Sequence, residues 1–448
     1  MKTNIAPARI CAYKVLYDVM ENGAFSNISL NSHLNSSLRD AADRALCTNI
    51  VYGTLKKKNR LEKIIRNLSK IAYEKTDPRE RIILMMSLYQ MLYLRKIPDY
   101  ALINDAVSMS KFYIGSSVTG YTNALLRSAQ RAKGELMSPE KDFFSLMHYE
   151  YGFGEDITEL LREQKSEKEL LDYAKASEEA PPLTVRANTL RISEDDLAAR
   201  LCREGFGCEK TWVPGVLRIT GGTNVFSSPA FREGLFFAQD ISGALSGWCA
   251  GFGSGMHTLD VCSAPGAKSF NASILTGDSP VLSCDISKKK LELVYQSARQ
   301  LGYQGLHTFR SDATEKNADF EGRFDRVICD VPCSGLGVIR RKPEILFSMN
   351  REKIKEIISL QEKITRNAAA YVKPSGAMIY STCTINTEEN EKAVERILRE
   401  NPSMRPRAIR LPFDLPSAHP ETADGMLSLM PGKDDSDGFF IAVLEREN

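Results

Sequence analysis

From about residue 236 to the end, short apolar runs alternate with helical segments. That alternation restricts this half of the chain to a parallel, doubly wound sheet. The runs are Met256–Val261, Pro280–Cys284, Leu306–Phe309, Phe324–Cys329, Ala377–Tyr380 and Phe439–Leu444, with helices expected between them, notably over Arg351–Val372 and Thr387–Arg399. Sheets of this kind bind ligands in the crevice outside the carboxyl ends of their strands, so the residues at those ends carry the functional information.

The first strand ends in the small-residue turn Asp260-Val-Cys-Ser-Ala-Pro-Gly-Ala-Lys268. Small residues there let backbone N–H groups come close to a ligand. Asp285 closes the second strand, at the spacing where an acidic group accepts from ribose hydroxyls. Asp312, after the third strand, is placed to accept from an adenine amino group. The turn lacks the Gly-x-Gly-x-x-Gly fingerprint of nicotinamide enzymes, which favours a cofactor without a pyrophosphate, such as S-adenosylmethionine. Taken singly, each aspartate reads equally well as a turn cap; three at successive strand ends point to a site.

Asp330-Val-Pro-Cys333 follows the fourth strand and Cys383 the fifth. Neighbouring strand ends open into one crevice, and a thiol there suits covalent catalysis. Carbon 5 of cytosine is not nucleophilic by itself. A thiolate adding at carbon 6 makes the ring an enamine whose carbon 5 can attack a sulfonium methyl, and Asp330 is placed to neutralise charge at ring nitrogen 3. On these grounds either cysteine can be the nucleophile. Cys262, Cys284 and Cys329 fit the plainer role of small buried hydrophobes. The ten cysteines include no Cys-x-x-Cys pair and the chain has five histidines, so a structural zinc site is not expected; without a signal-peptide pattern, reduced thiols rather than a disulfide framework are expected.

Residues 1–135 read as an all-α bundle. Ala8, Ala12, Leu16 and Val19 share one helical face, and Pro78 opens a helix through Tyr93. This stretch has 21 Lys and Arg against 11 Asp and Glu, whereas the remainder has 38 against 46. A basic third on an acidic body suggests a polyanion partner. Lys56, Lys57, Lys58, Arg60, Arg127 and Arg131 are candidates for a phosphate-facing patch; exposed helix ends are the plainer reading. After a charge-dense hinge over 140–180, Leu183-Thr-Val-Arg186, a helix over Glu194–Glu204 and Val216-Leu-Arg-Ile219 outline a small α/β module. The expected domains are 1–138 (all-α), 139–235 (linker helices and small α/β module) and 236–448 (Rossmann-like). No apolar stretch reaches the roughly 18 residues of a membrane span, and a signal-peptide pattern is lacking, so a cytoplasmic protein is expected.

The turn at 260–268, the run Phe324-Asp-Arg-Val-Ile-Cys-Asp-Val-Pro-Cys-Ser-Gly-Leu-Gly-Val-Ile-Arg-Arg-Lys-Pro-Glu344 and Ser381-Thr-Cys-Thr-Ile-Asn-Thr-Glu-Glu-Asn390 resemble the Nop/Sun family of RNA cytosine-5 methyltransferases. Phe237-Ala-Gln-Asp-Ile-Ser242 and Asp437-Gly-Phe-Phe-Ile-Ala442 do so too. The first third, with Ala8-Arg9, Val51-Tyr-Gly-Thr-Leu55 and Asn123-Ala-Leu-Leu-Arg127, is similar to the antitermination-factor NusB domain. The resemblance covers nearly the whole chain. It implies a class I methyltransferase core that uses S-adenosylmethionine on a cytosine of 16S ribosomal RNA, free of the fully assembled subunit, in a monomer without metal. Carried over by motif position, it makes Cys383 the attacking thiol and Cys333 the group that assists product release, with Lys268 orienting the base. Cys262, Ser263, Ala264, Pro265, Gly266, Ala267 and Lys268 would form the cofactor turn, completed by Asp285, Asp312 and Asp330. Arg340, Arg341 and Lys342 are expected either at the RNA backbone or, equally, in a solvated loop. Ala267 stands where the family usually has glycine, tolerable at negative φ, and Val331 where it usually has alanine. Two other readings stay open: an exocyclic-amine methyltransferase, disfavoured by Val331 and Cys333, and a non-catalytic RNA-binding or antitermination factor, which would not need the cofactor turn and thiols together.

Overall fold

A computed structural model describes residues 5–94 and 97–448. Its contacts divide the chain into two compact units, the first running to Glu179 and including Ile339–Arg351, the second comprising Ala180–Val338 and Glu352–Asn448.

The first unit is helical. Its long helices are Pro7–Asn22, Ser26–Ser37, Ala41–Lys56, Lys58–Leu68, Pro78–Tyr93, Asp99–Tyr113 and Thr119–Arg131. Ala8, Ala12 and Leu16 are buried with Ile50, Val51, Leu55 and Ile82 in one apolar core. Pro78 sits in the first turn of its helix, as its fixed φ and missing N–H allow, and the Asp77 carboxylate accepts from Arg79 N at 2.8 Å. Helices Glu155–Arg162 and Glu167–Glu178 complete this unit, the latter opened by a reciprocal Ser166/Glu169 capping box. They belong to the first compact unit.

The phosphate-facing patch read from the sequence needs correction. Lys56, Lys57 and Arg60 are buried. Lys56 Nζ donates to the carbonyls of Ser177 and Glu178 at 2.8 and 3.0 Å, and Lys57 pairs with Glu178 at 2.7 Å. Arg60 pairs with Glu150 and donates to the carbonyls of Leu136 and Ser138 at 3.0 and 2.7 Å. Lys58 is held by Glu62 at 2.5 Å, while Arg127 is half-buried and Arg131 exposed. The cause is proximity to chain that the sequence reads as a hinge: its carboxylates and carbonyls absorb these cations. Arg340, expected at an RNA backbone, is buried as well, and Lys342 lies 5.5 Å from the Phe25 ring centroid.

The second unit opens with an antiparallel sheet of β1 (Leu183–Ala187), β2 (Cys208–Lys210), β3 (Val216–Ile219) and β4 (Phe236–Ala238), ordered β2-β3-β1-β4. Helix Glu194–Arg203, capped by Ser193, buries Leu197 and Leu201 against it. The larger sheet contains β5 (Thr258–Asp260), β6 (Val281–Asp285), β7 (Leu306–Arg310), β8 (Phe324–Asp330), β9 (Val372–Thr382), β10 (Met404–Pro406), β11 (Met426–Leu429) and β12 (Phe439–Arg446). Its order is β10-β12-β9-β8-β5-β6-β7, with β11 also on β12. Strands β5 to β9 pair in parallel, and β12 runs antiparallel to β9. The α/β class holds, but the sheet is mixed where the sequence suggests a parallel one: β12 (Phe439–Arg446) returns antiparallel to β9 and takes β10 and β11 antiparallel beside it. From β5 the order proceeds to β6 and β7 on one side and to β8 and β9 on the other, so the crevice lies where the direction of winding reverses. Buried runs such as Val327–Cys329 and Met378–Tyr380 are continuous, as a sheet covered on both faces requires.

Candidate active site

Strands β5, β6 and β8 end on Asp260, Asp285 and Asp330, Asp312 lies two residues beyond β7, and Cys383 follows β9 directly. The turn after β5 is anchored by Ser263 N donating to Cys284 O at 2.7 Å and Gly266 N donating to Ser263 O at 2.6 Å. Gly266 has φ +110°, and a Cβ there would lie 2.5 Å from the Phe270 ring. Ala267 is the first residue of helix Ala267–Leu275 and lies outside the positive-φ residues. The methyl at 267 therefore adds no backbone strain. Val331 is buried in the sheet core.

Asp285 accepts from Ser287 N at 2.8 Å and Ala264 N at 3.4 Å, tying the turn to β6. Asp312 accepts from Thr314 Oγ1 at 2.7 Å and Thr314 N at 2.9 Å, and these bonds lower its pKa. Both aspartates thus cap their own turns. Ser263 Oγ is buried and has no hydrogen-bond partner among the described residues. An unsatisfied hydroxyl in a glycine-bent turn, ringed by carboxylates at strand ends, fits a ligand bearing hydroxyl and amino donors, as S-adenosylmethionine does.

At the next strand ends, Lys268 Nζ donates to Asp330 Oδ2 at 2.7 Å and Ser381 Oγ donates to Asp330 Oδ1 at 2.7 Å. Burial opposes the charge on Lys268, but attraction to Asp330, their hydrogen bond, Asp260 and Cys383 raise its pKa overall. Lys268 is thus an ammonium at neutral pH. Asp260 lies behind it, 1% exposed; burial pushes its carboxyl up to about 7, although Ser269 Oγ donates to it at 2.7 Å.

The two singled-out sulfurs meet. Cys333 Sγ lies 3.2 Å from Cys383 Sγ and accepts from Cys383 N at 3.3 Å. Both residues are half-buried. The Cys383 contact, burial and the Glu389 charge push the Cys333 thiol well up. Cys284 and Cys329 are buried and Cys262 half-buried; burial raises all three, Cys284 to about 12. Sequence reasoning missed Ser381, although it precedes Cys383 by two residues, the spacing that puts it on one face of β9 with the site. It also missed Glu389.

A mixed sheet whose parallel strands β5 to β9 reverse their winding, a glycine-bent turn after β5 and acidic strand ends mark an S-adenosylmethionine-dependent methyltransferase of Rossmann-like fold. Among family models, one described as 16S rRNA methyltransferase RsmB/F matches residues 253–445, the NusB family matches 6–131, and an RsmF/B-like ferredoxin-like domain matches 157–226. The chain is 30% identical to the probable ribosomal RNA small subunit methyltransferase B of Bacillus subtilis, covering 98% of each chain. The crystal structure of PH0851 superposes with a TM-score of 0.84 at 22% identity, over 99% of this chain and 100% of that one. A methyltransferase homologue from Pyrococcus horikoshii gives 0.60 at 23% identity, over 69% and 100%. The chain belongs to the ribosomal RNA small subunit methyltransferase B family. Among the described residues no helix is long and apolar enough to cross a membrane, and no cluster of three or more His, Cys, Asp or Glu side chains is arranged to hold a metal.

Proposed function

We propose that this protein methylates carbon 5 of a cytosine in small-subunit ribosomal RNA through a transient bond between Cys383 and the base. The observation that carries the reading is the pair of sulfurs 3.2 Å apart beside the Lys268–Asp330 ion pair. Amine methylation requires neither thiol.

Residues 262–268, Asp285 and Asp312 would hold S-adenosylmethionine, which when bound supplies an electrophilic methyl carbon. Cys383 Sγ, as thiolate, forms a bond to carbon 6, and the carbon 5–carbon 6 π pair moves toward nitrogen 3. The charge developing at nitrogen 3 is met by a proton relayed from the Lys268 ammonium through the Asp330 carboxyl, and the pair takes it back when the ring regains its double bond. The electron pair returning through carbon 5 forms the new carbon–carbon bond. Water takes the carbon 5 proton, which restores the double bond and expels the Cys383 thiolate. Cys333, whose thiol pKa is pushed well up, gives its proton to the departing sulfur and recovers one from solvent. The target base must be unstacked to enter the crevice, at a cost of a few kcal/mol.

The test is product analysis with two variants. Cys383→Ala should lose at least a thousandfold in methyl transfer, and Cys333→Ala should accumulate an enzyme–RNA adduct that survives denaturing electrophoresis. Mass analysis of digested RNA should give 5-methylcytidine. Full activity in Cys383→Ala, or a methyl group on nitrogen, refutes the mechanism.

A further inference from the structure

The residues next to the two thiols converge on a buried carboxylate. Glu389 is 0% exposed. Its Oε2 accepts from Ser334 N at 2.8 Å and Gln361 Nε2 at 3.1 Å; its Oε1 accepts from Ser334 Oγ at 2.5 Å and Asn386 Nδ2 at 2.9 Å. Ser334 follows Cys333 in the chain. Its hydroxyl also lies 2.8 Å from Thr384 Oγ1, and Thr384 follows Cys383. Gln361 Nε2 donates as well to Pro332 O at 2.9 Å, on the other side of Cys333. The backbone of Glu389 is held in turn, its carbonyl accepting from Tyr380 OH at 2.6 Å inside the core.

We propose that Glu389 is a positioning residue whose carboxylate clamps the Cys333 loop onto the Cys383 loop and so sets the distance between the two thiols. The proposal builds on the two-thiol reading above. A carboxylate is suited to this because it is acceptor-only, with two oxygens that can take four donors. An amide has one acceptor oxygen, and its NH2 would face donors on the other side. A hydrophobic side chain of equal size would remove the acceptor that Ser334 N and Asn386 Nδ2 use here, and would leave Ser334 Oγ only Thr384 and Gln361 Nε2 only Pro332 O. Glu389 touches neither sulfur directly, so its effect is on where they sit.

The experiment reads sulfur separation without RNA or cofactor. Diamide, which takes two electrons and two protons from a pair of thiols, is added to the full-length protein, and disulfides are located by peptide mass analysis. Cys202 and Cys208, whose sulfurs lie 4.0 Å apart far from this network, give an internal control. Wild type should form Cys333–Cys383 readily. Glu389→Gln should slow that cross-link at least tenfold while leaving Cys202–Cys208 unchanged, and should lower kcat with little change in KM for RNA. Combining it with Asn386→Asp exchanges the donor and acceptor and should restore the cross-link to within about threefold. Ser334→Ala, which removes one hydroxyl, should give an intermediate loss and serves if Glu389→Gln does not fold. An undiminished cross-link in Glu389→Gln or, failing that variant, in Ser334→Ala overturns the proposal, as does a double variant without rescue or a wild type that never cross-links. Rescue of the cross-link together with an active Cys383→Ala would leave the clamp standing and remove the cytosine mechanism instead.

Discussion

Asp260 illustrates how much a single residue can carry. Its carboxyl sits at the carboxyl end of β5, almost without solvent, between Ser269 and the Lys268–Asp330 pair. Burial, more than the repulsion from Asp330, raises its pKa to about 7, whereas an unfolded chain releases that proton near 4. Between about pH 4 and 7 the folded state therefore holds a proton that the unfolded state has lost. Stability from this group is complete below about pH 4, declines as pH rises through the window and levels off above it, with an upper bound of about 4 kcal/mol. Asp260→Asn removes the ionisation while keeping the shape. Urea unfolding of the two proteins at pH 5, 6 and 7 should show the variant gaining on wild type by more than about 1 kcal/mol across that range. Parallel stability curves would mean that the carboxyl titrates normally. The aspartate was legible in the sequence as the end of a strand. Its environment was not, since Ser269 and Asp330 reach it only through the fold.

At the scale of elements, the turn Cys262–Gly266 feeding helix Ala267–Leu275 decides whether the crevice can take a ligand. Gly266 must keep φ +110°, and a side chain there meets both an unfavourable backbone and the Phe270 ring. Gly266→Ala should weaken S-adenosylmethionine binding at least tenfold in calorimetric titration, whereas Ala267→Gly, in the first helical turn, should change it less than threefold. Equal effects would show that the turn does not depend on this backbone geometry. The strand-helix alternation could be read from the sequence because strands buried on both faces make long apolar runs such as Phe439–Leu444. Strands β10 and β11 could not. Each is three or four residues long and pairs with β12, ten or more residues further along the chain. The same reason hides the link from Ser334 to Glu389, whose partners are 55 residues apart. Aspartates and thiols at strand ends are local signals, and the structure brings Asp330, Lys268, Cys333 and Cys383 together as their placement on adjacent strands suggests.

For the whole molecule, charge counted along the sequence overstates what solvent can meet. Lys56, Lys57 and Arg60 contribute to the basic excess of the first 135 residues, yet they face carboxylates and carbonyls of residues 136–178 inside the same unit. Their contribution is to cohesion between the bundle and its connecting helices. Arg60→Ala would take one donor from the Glu150 carboxylate, which is 31% exposed and keeps Lys57 at 3.4 Å, and the Arg60 donor from two carbonyls, a loss on the order of 1–3 kcal/mol. Calorimetry should record a clearly lower unfolding temperature, while RNA affinity of the folded protein at 20 °C, measured by filter binding, should change less than twofold. Exposed Arg131 should behave oppositely: Arg131→Ala should leave the unfolding temperature within about 1 °C, weaken RNA binding and reduce the slope of log affinity against log salt by about one. The reverse pattern, with Arg60→Ala lowering the salt slope at unchanged stability, would return that guanidinium to the RNA-facing surface and undo the structural assignment of the cluster.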